Sequence, residues 1–157
     1  MRFVLAIFLV LATRTAALAR DWCANLDRTL DILQIQVGSA SSLFEETQTE
    51  KFNLDTYRNH HATMDVIECW KLGGIRDENA ERAIDGLIVQ LKGKLTVGLA
   101  AHGLSVIGKP ALRALPDLRA ALEHEQKTIV TRSMNGAMLE RTLISVVDRM
   151  TKLSQQP

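Results

Sequence analysis

Cys23, Leu26, Leu30, Leu33, Val37, Ala40 and Phe44 recur at steps of three and four residues, the spacing that gathers side chains on one face of an α-helix. Asp21 is placed to cap its N-terminus. Gly38 and the run Ser39–Ser42 disfavour helix in the middle of this stretch, so the first helix either stops near Val37 or continues to about Glu46. Thr47 to Asn53 is polar and reads as a connection. A second helix is expected from near Asp55, with Leu54, Tyr57, His61, Met64 and Ile67 on its apolar face and Gly73-Gly74 at its end.

Asp77 is suited to cap a third helix, and Glu78 and Glu81 in its first turn complement the positive end of the helix dipole. Its face runs through Ala80, Ile84, Leu87, Leu91 and Leu95. Gly98, Gly103 and Gly108 then recur among small and apolar residues, and the pattern predicts a helix end by Gly103 followed by a buried turn. Pro110 starts a short helical piece, and Pro116-Asp117 starts a longer helix with Leu118, Leu122 and Ile129 on its face. After a break around Ser133 to Gly136, Leu139, Leu143, Val146, Met150 and Leu153 mark the final helix. No stretch alternates with period two. The expected fold is all-α, a compact bundle of about five helices forming one domain over residues 20–157.

Residues 1–19 stand apart from this pattern. Arg2, the apolar run Phe3–Ala12 and the small-residue end Ala17-Leu18-Ala19 have the layout of a secretory signal peptide, with cleavage expected before Arg20. The run is about half the ~20 residues that a membrane-spanning helix needs. The expected destination is the periplasm or the extracellular medium, with no stable membrane insertion once the leader is removed. Because the leader contains Arg2 and Arg14, its loss turns 19 basic against 18 acidic side chains into 17 against 18. Basic residues are interspersed with acidic ones, so no phosphate-neutralising stripe is formed and nucleic acid is not an expected partner.

Export changes the reading of Cys23 and Cys69, the two cysteines of the chain. An even count in an oxidising compartment points to a disulfide. Cys23 opens the first helix, Cys69 closes the second, and the midpoint between them falls beside the expected turn, so an antiparallel hairpin brings them together. Trp22 and Trp70 would flank the bridge.

Tyr57, His60, His61 and Asp65 form the densest group of chemically versatile side chains, with Arg58 and Glu68 beside them. His60 with Met64, or His61 with Asp65, stands at the four-residue spacing that lets two side chains share a ligand, which is half of a metal site. This patch is therefore read as a candidate ligand or partner surface, with no metal and no cofactor assigned to it. Glu123-His124-Glu125 spreads over different helix faces, and Ser105, Ser133 and Ser145 lack a nucleophile-elbow setting. The glycines at 98, 103 and 108 fit close helix packing, or a small-residue groove that accepts a partner segment.

In architecture alone, a leader, helices and one disulfide are similar to the exported chorismate mutases, although Arg28, Arg58 and Lys71 do not align with a dicarboxylate-binding set. Size and helicity are similar to exported cytochromes of the b562 kind, for which Met64, Met134 or Met138 with His102 or His124 would be the axial pair. No catalytic set emerges. The expected function is binding to another extracytoplasmic protein, as an inhibitor, immunity, chaperone or accessory subunit does. A metal, haem or small-ligand carrier is the alternative, followed by a small helical enzyme.

Overall fold

The computed structural model describes residues 23–35, 50–93, 95–128 and 134–156. The expected leader, Asp21, Trp22, Ile129 and the continuation of the first seam through Val37, Ala40 and Phe44 lie outside them. The described residues form α1 (Leu26–Leu33), α2 (Glu50–Lys71), α3 (Asp77–Gln90), α4 (Val97–Ile107), a 3-10 turn (Lys109–Ala114), α5 (Leu115–Thr128) and α6 (Met134–Ser154), with no strand among them. All-α architecture follows from the periodicities above, with six α-helices where about five were expected.

The disulfide joins Cys23, just before α1, to Cys69 near the end of α2, with their Cα atoms 5.6 Å apart. Asn59 of α2 donates from Nδ2 to the carbonyl of Ile35 at 3.1 Å, just past the other end of α1. The two helices therefore run antiparallel. Behind the bridge α2 ends in a Schellman motif, in which Gly73 N–H donates to Trp70 O and Gly74 N–H donates to Cys69 O, both at 2.9 Å. Gly73 supplies the left-handed φ of 72° that this ending requires. Gly74 lies so close over the bridge that a Cβ there would overlap Cys23 Sγ and come within 2.8 Å of Cys69 Sγ. Trp70 packs half-buried against the same core.

At eight residues α1 is too short to persist alone, and contacts with its neighbours hold it. Its buried Leu30 and Leu33 face inward, while Gln90 of α3 donates from Nε2 to Leu33 O at 2.8 Å and to Ile35 O at 3.2 Å. Arg82 forks across Asp27 and Asp31 at 2.8 and 2.9 Å. Gly86 lets α1 approach, since a Cβ there would sit 2.6 Å from Leu33 Cβ. The contacts at residues 82, 86 and 90 advance together with residues 27 to 35, so α1 and α3 run parallel. Asp77, expected as a cap, is the first residue of α3 and adopts φ 50°, a conformation that aspartate tolerates better than most residues.

Leu95 does not continue the α3 face. The helix stops at Gln90, whose carbonyl accepts from Thr96 Oγ1 at 2.9 Å, and α4 begins at the residue after Thr96, Val97. The expected end at Gly103 is also displaced, because α4 runs through both Gly98 and Gly103 and stops at Gly108, where φ is 75°. Gly103 serves packing: a Cβ on it would stand 3.0 Å from Ile67 and 3.2 Å from Leu87. A helix with so few polar residues belongs in the interior. Accordingly α4 touches α2, α3, α6 and the 3-10 turn, with Ala100, Ala101 and Leu104 fully buried.

The final helix keeps the face its spacing predicts. Leu143, Val146 and Met150 are buried, with Leu139 and Leu153 packed at the edge. Leu139 reaches Gly98, at the start of α4, and Leu153 reaches Gly108, at its end, so α4 and α6 run parallel. Helices α2, α4 and α6 thus form one layer with α4 in the middle. Helices α1, α3 and α5 pack with the 3-10 turn behind it.

Candidate functional site

The rotation of α2 places the sequence-predicted patch. Its buried face is Asn59, Ala62, Thr63, Val66, Ile67 and Cys69, not the expected line through Tyr57, His61 and Met64. Of that line's described side chains only Ile67 is buried; Tyr57 is 62% exposed and Met64 41% exposed. The cause is local. Cys69 must point at Cys23, and Asn59 must reach the carbonyl of Ile35, which turns their side of the helix inward. Thr63 is polar but donates to Asn59 O at 2.7 Å, so it is buried with its hydroxyl satisfied.

The four patch residues are therefore at the surface and partly together. The rings of Tyr57 and His61 meet edge to face with centroids 4.2 Å apart, and those of His60 and His61 are 5.9 Å apart. Asp65 lies one turn beyond His61 and is half-buried. Burial pushes its carboxyl above the ordinary carboxylate range, and the charge of His61 pulls it partly back. A carboxyl raised in the folded state binds its proton more readily there than in the unfolded chain, so its net effect on stability is unfavourable once both states are ionised. Asp65→Asn is expected to raise the thermal midpoint at pH 7. The gain should vanish as the pH falls through the carboxylate range, where wild type carries the proton too; scanning calorimetry at both pH values checks this.

Among the described residues no group of three or more His, Cys, Asp or Glu side chains could hold a metal ion. His60 and His61 point to different sides of α2 because adjacent helical residues are about 100° apart. His60 shares its side with Met64, Ile67 and Lys71, at spacings of four, three and four, and this stripe borders α4 through the contact of Ile67 with Gly103. On α4, Gly103 marks the flank against α2 and Gly98 the flank against α6. Between those flanks, turned from the core, Leu95, Leu99, His102 and Val106 form a second stripe. Leu95 in the preceding turn is 57% exposed, His102 is exposed, and Leu99 and Val106 are half-buried. The flank of α6 beyond Leu139 carries Met138, Thr142, Ser145 and Arg149, with Met138 73% exposed.

Three helices thus present one outer face, on which Leu99 and Val106 are half-buried while Leu95, His102, Tyr57, Met64 and Met138 are exposed. At Leu99 and Val106, which are less exposed than the flanking Tyr57, Met64 and Met138, the α4 stripe is the floor of a shallow trough. Contiguous exposed apolar side chains are characteristic of interaction surfaces, whereas singly scattered ones need no explanation. Lower on α6 a depression of about 440 Å³ is lined by Ser145, Asp148, Arg149, Lys152, Leu153 and Gln156.

Leu95, Leu99, Val106 and Met138 were not singled out in the sequence as one surface. A charge signal was present. Between Asp85 and Asp117 the chain contains no Asp or Glu, while it carries Lys92, Lys94, His102, Lys109 and Arg113. Four acids of α1 and α3 are paired, Asp27 and Asp31 with Arg82, and Glu81 and Asp85 with Arg113. No helix among the described residues is long and apolar enough to cross a membrane. The disulfide is suited to a non-cytoplasmic environment. No protein-family model matches the chain, and no curated protein and no solved structure matches it.

Proposed function

We propose that this chain acts outside the cytoplasm, in the periplasm or the extracellular medium, by binding another protein through the outer face of the α2–α4–α6 layer. The observation that carries this reading is the exposure of Tyr57 and Met64 on α2, Leu95 just before α4, and Met138 on α6. Exposed aromatic and methionine side chains around a partly buried apolar floor have the composition of a protein interface core, where they supply contact area with few charges to desolvate. The disulfide and the N-terminal leader pattern support the extracytoplasmic setting.

A photo-reactive side chain introduced at Met138 tests the reading in cells that export the protein, with exposed Arg28 on α1 as the control position. The expected result is a discrete protein adduct from position 138 and none from position 28. Adding Leu95→Glu should abolish the adduct without unfolding the bundle, because Leu95 is largely in water. Identical adducts from both positions, or none from either, would sink the proposal.

A further inference from the structure

We propose that the trough on the α2–α4–α6 face seats an acidic amphipathic helix of the partner, apolar toward Leu95, Leu99 and Val106 and carboxylate-bearing toward the rims. This deepens the protein-binding reading and rests on it. Three observations select that occupant.

The first is shape. The floor from Leu95 to Val106 would be covered by about three turns of helix, or roughly 16 Å. Its apolar side chains follow helical spacing, so the apolar stripe of a second helix can lie along it; helix-in-groove recognition uses this geometry. Gly103 draws α2 against one flank of α4, and Gly98 admits Leu139 of α6 on the other. Along this stripe Leu99 and Val106 are half-buried, while Leu95 and His102 are exposed.

Charge is the second. The floor belongs to the stretch of chain without a carboxylate, and exposed His102 interrupts its apolar residues. Lys92 is exposed in the turn that leads to Leu95, and Arg149 is exposed on the α6 rim. On α2, Glu68 is bonded to Lys71 at 2.7 Å. On α6, Glu140 accepts from Gln126 of α5 at 3.4 Å, away from the trough, and Asp148 lies beside Arg149 in the lower depression. Cations around an apolar floor favour a partner that offers carboxylates and disfavour a basic one.

The third is the pairing of carboxylates among the described residues. Asp27, Asp31, Glu81 and Asp85 are gathered on α1 and α3 behind the layer, where Arg82 and Arg113 engage them. These four carboxylates are thus paired with cations on α3 and the 3-10 turn.

The test uses the oxidised chain and three labelled peptides of about 18 residues: a Leu/Glu amphipathic helix, the same helix with Lys for Glu, and a scrambled Leu/Glu sequence. Fluorescence anisotropy reads affinity, and amide chemical shifts read location. The Leu/Glu helix should bind about tenfold or more tightly than either control and weaken as salt is added. Shifts should centre on Leu99, His102 and Met138, and Arg149→Glu and Leu95→Glu should each weaken binding about tenfold. Equal or reversed preference between the Glu and Lys peptides overturns the proposal, as does failure of the Leu/Glu helix to bind. So does self-association by sedimentation that Leu95→Glu abolishes, which would make a second copy the occupant, or Leu95-dependent binding to phosphatidylglycerol vesicles, which would make it a lipid surface. If the peptides fail while position 138 still crosslinks to a protein, protein binding stands and only the acidic helix falls. If crosslinking fails as well, both readings fall.

Discussion

Cys69→Ala is expected to lower the unfolding free energy by about 2 to 5 kcal/mol, read as a drop in the denaturant midpoint of the oxidised protein. The bridge spans a sequence separation of 46 residues. Constraining a loop of that length in the unfolded chain contributes ~4 kcal/mol in the chain-entropy account. The bridge also does more than shorten a loop. It fixes the start of α1, a helix of eight residues, against the end of α2, and it sets the rotation that buries Asn59 and Thr63 and leaves Tyr57 and Met64 in water. Comparing the two cysteines separates these contributions. Cys23 is half-buried and Cys69 only 1% exposed, beneath Gly74. Both single alanine variants lose the bridge, but Cys69→Ala also empties a packed position, so it should be the more destabilised of the two. Equal stability of reduced and oxidised wild type would contradict the expectation for both variants.

Leu104→Ala is the second large effect, expected at about 3 to 5 kcal/mol by the same measurement. Leu104 is completely buried on the core side of α4, the helix on which α2, α3 and α6 all pack. Truncation there removes apolar contact and leaves a cavity bounded by several helices that cannot all close in at once. The nearby Leu99 is a useful contrast because it faces the trough and is only half-buried. Leu99→Ala should cost much less, since water already reaches that side. Similar losses for the two leucines would mean that the trough floor is part of the core.

The polar residues most decisive for the site carried the least legible signals. In α2 a count of apolar residues favours a face through Tyr57, His61, Met64 and Ile67, yet the face that enters the core contains Asn59 and Thr63. These two are affordable inside because their hydrogen bonds are made there, to Ile35 O and Asn59 O. The Thr63 bond lies within α2, but the Asn59 bond depends on where another helix ends, which periodicity does not contain. Leu95 misled for a different reason: four-residue spacing continues from Leu91 without interruption, whereas the helix is stopped by a turn in which Thr96 Oγ1 bonds Gln90 O. The expected candidate patch accordingly divides, with Tyr57 and His60 beside the trough and His61 and Asp65 rolling away from it.

By itself the sequence determined what depends on spacing along one chain. The period of three and four gave helices; Leu143, Val146 and Met150 gave the core face of α6; and the placement of Cys23 and Cys69 about a turn gave the bridge. Only tertiary structure decided which helices lie side by side, how α2 is rotated, and that Gly98 and Gly103 are packing surfaces within α4. The trough exists because residues from three separate helices share one outer face. Helical periodicity sets each stripe, but the rotation of a helix in the assembly depends on the carbonyls, sulfur atoms and cavities that its neighbours present.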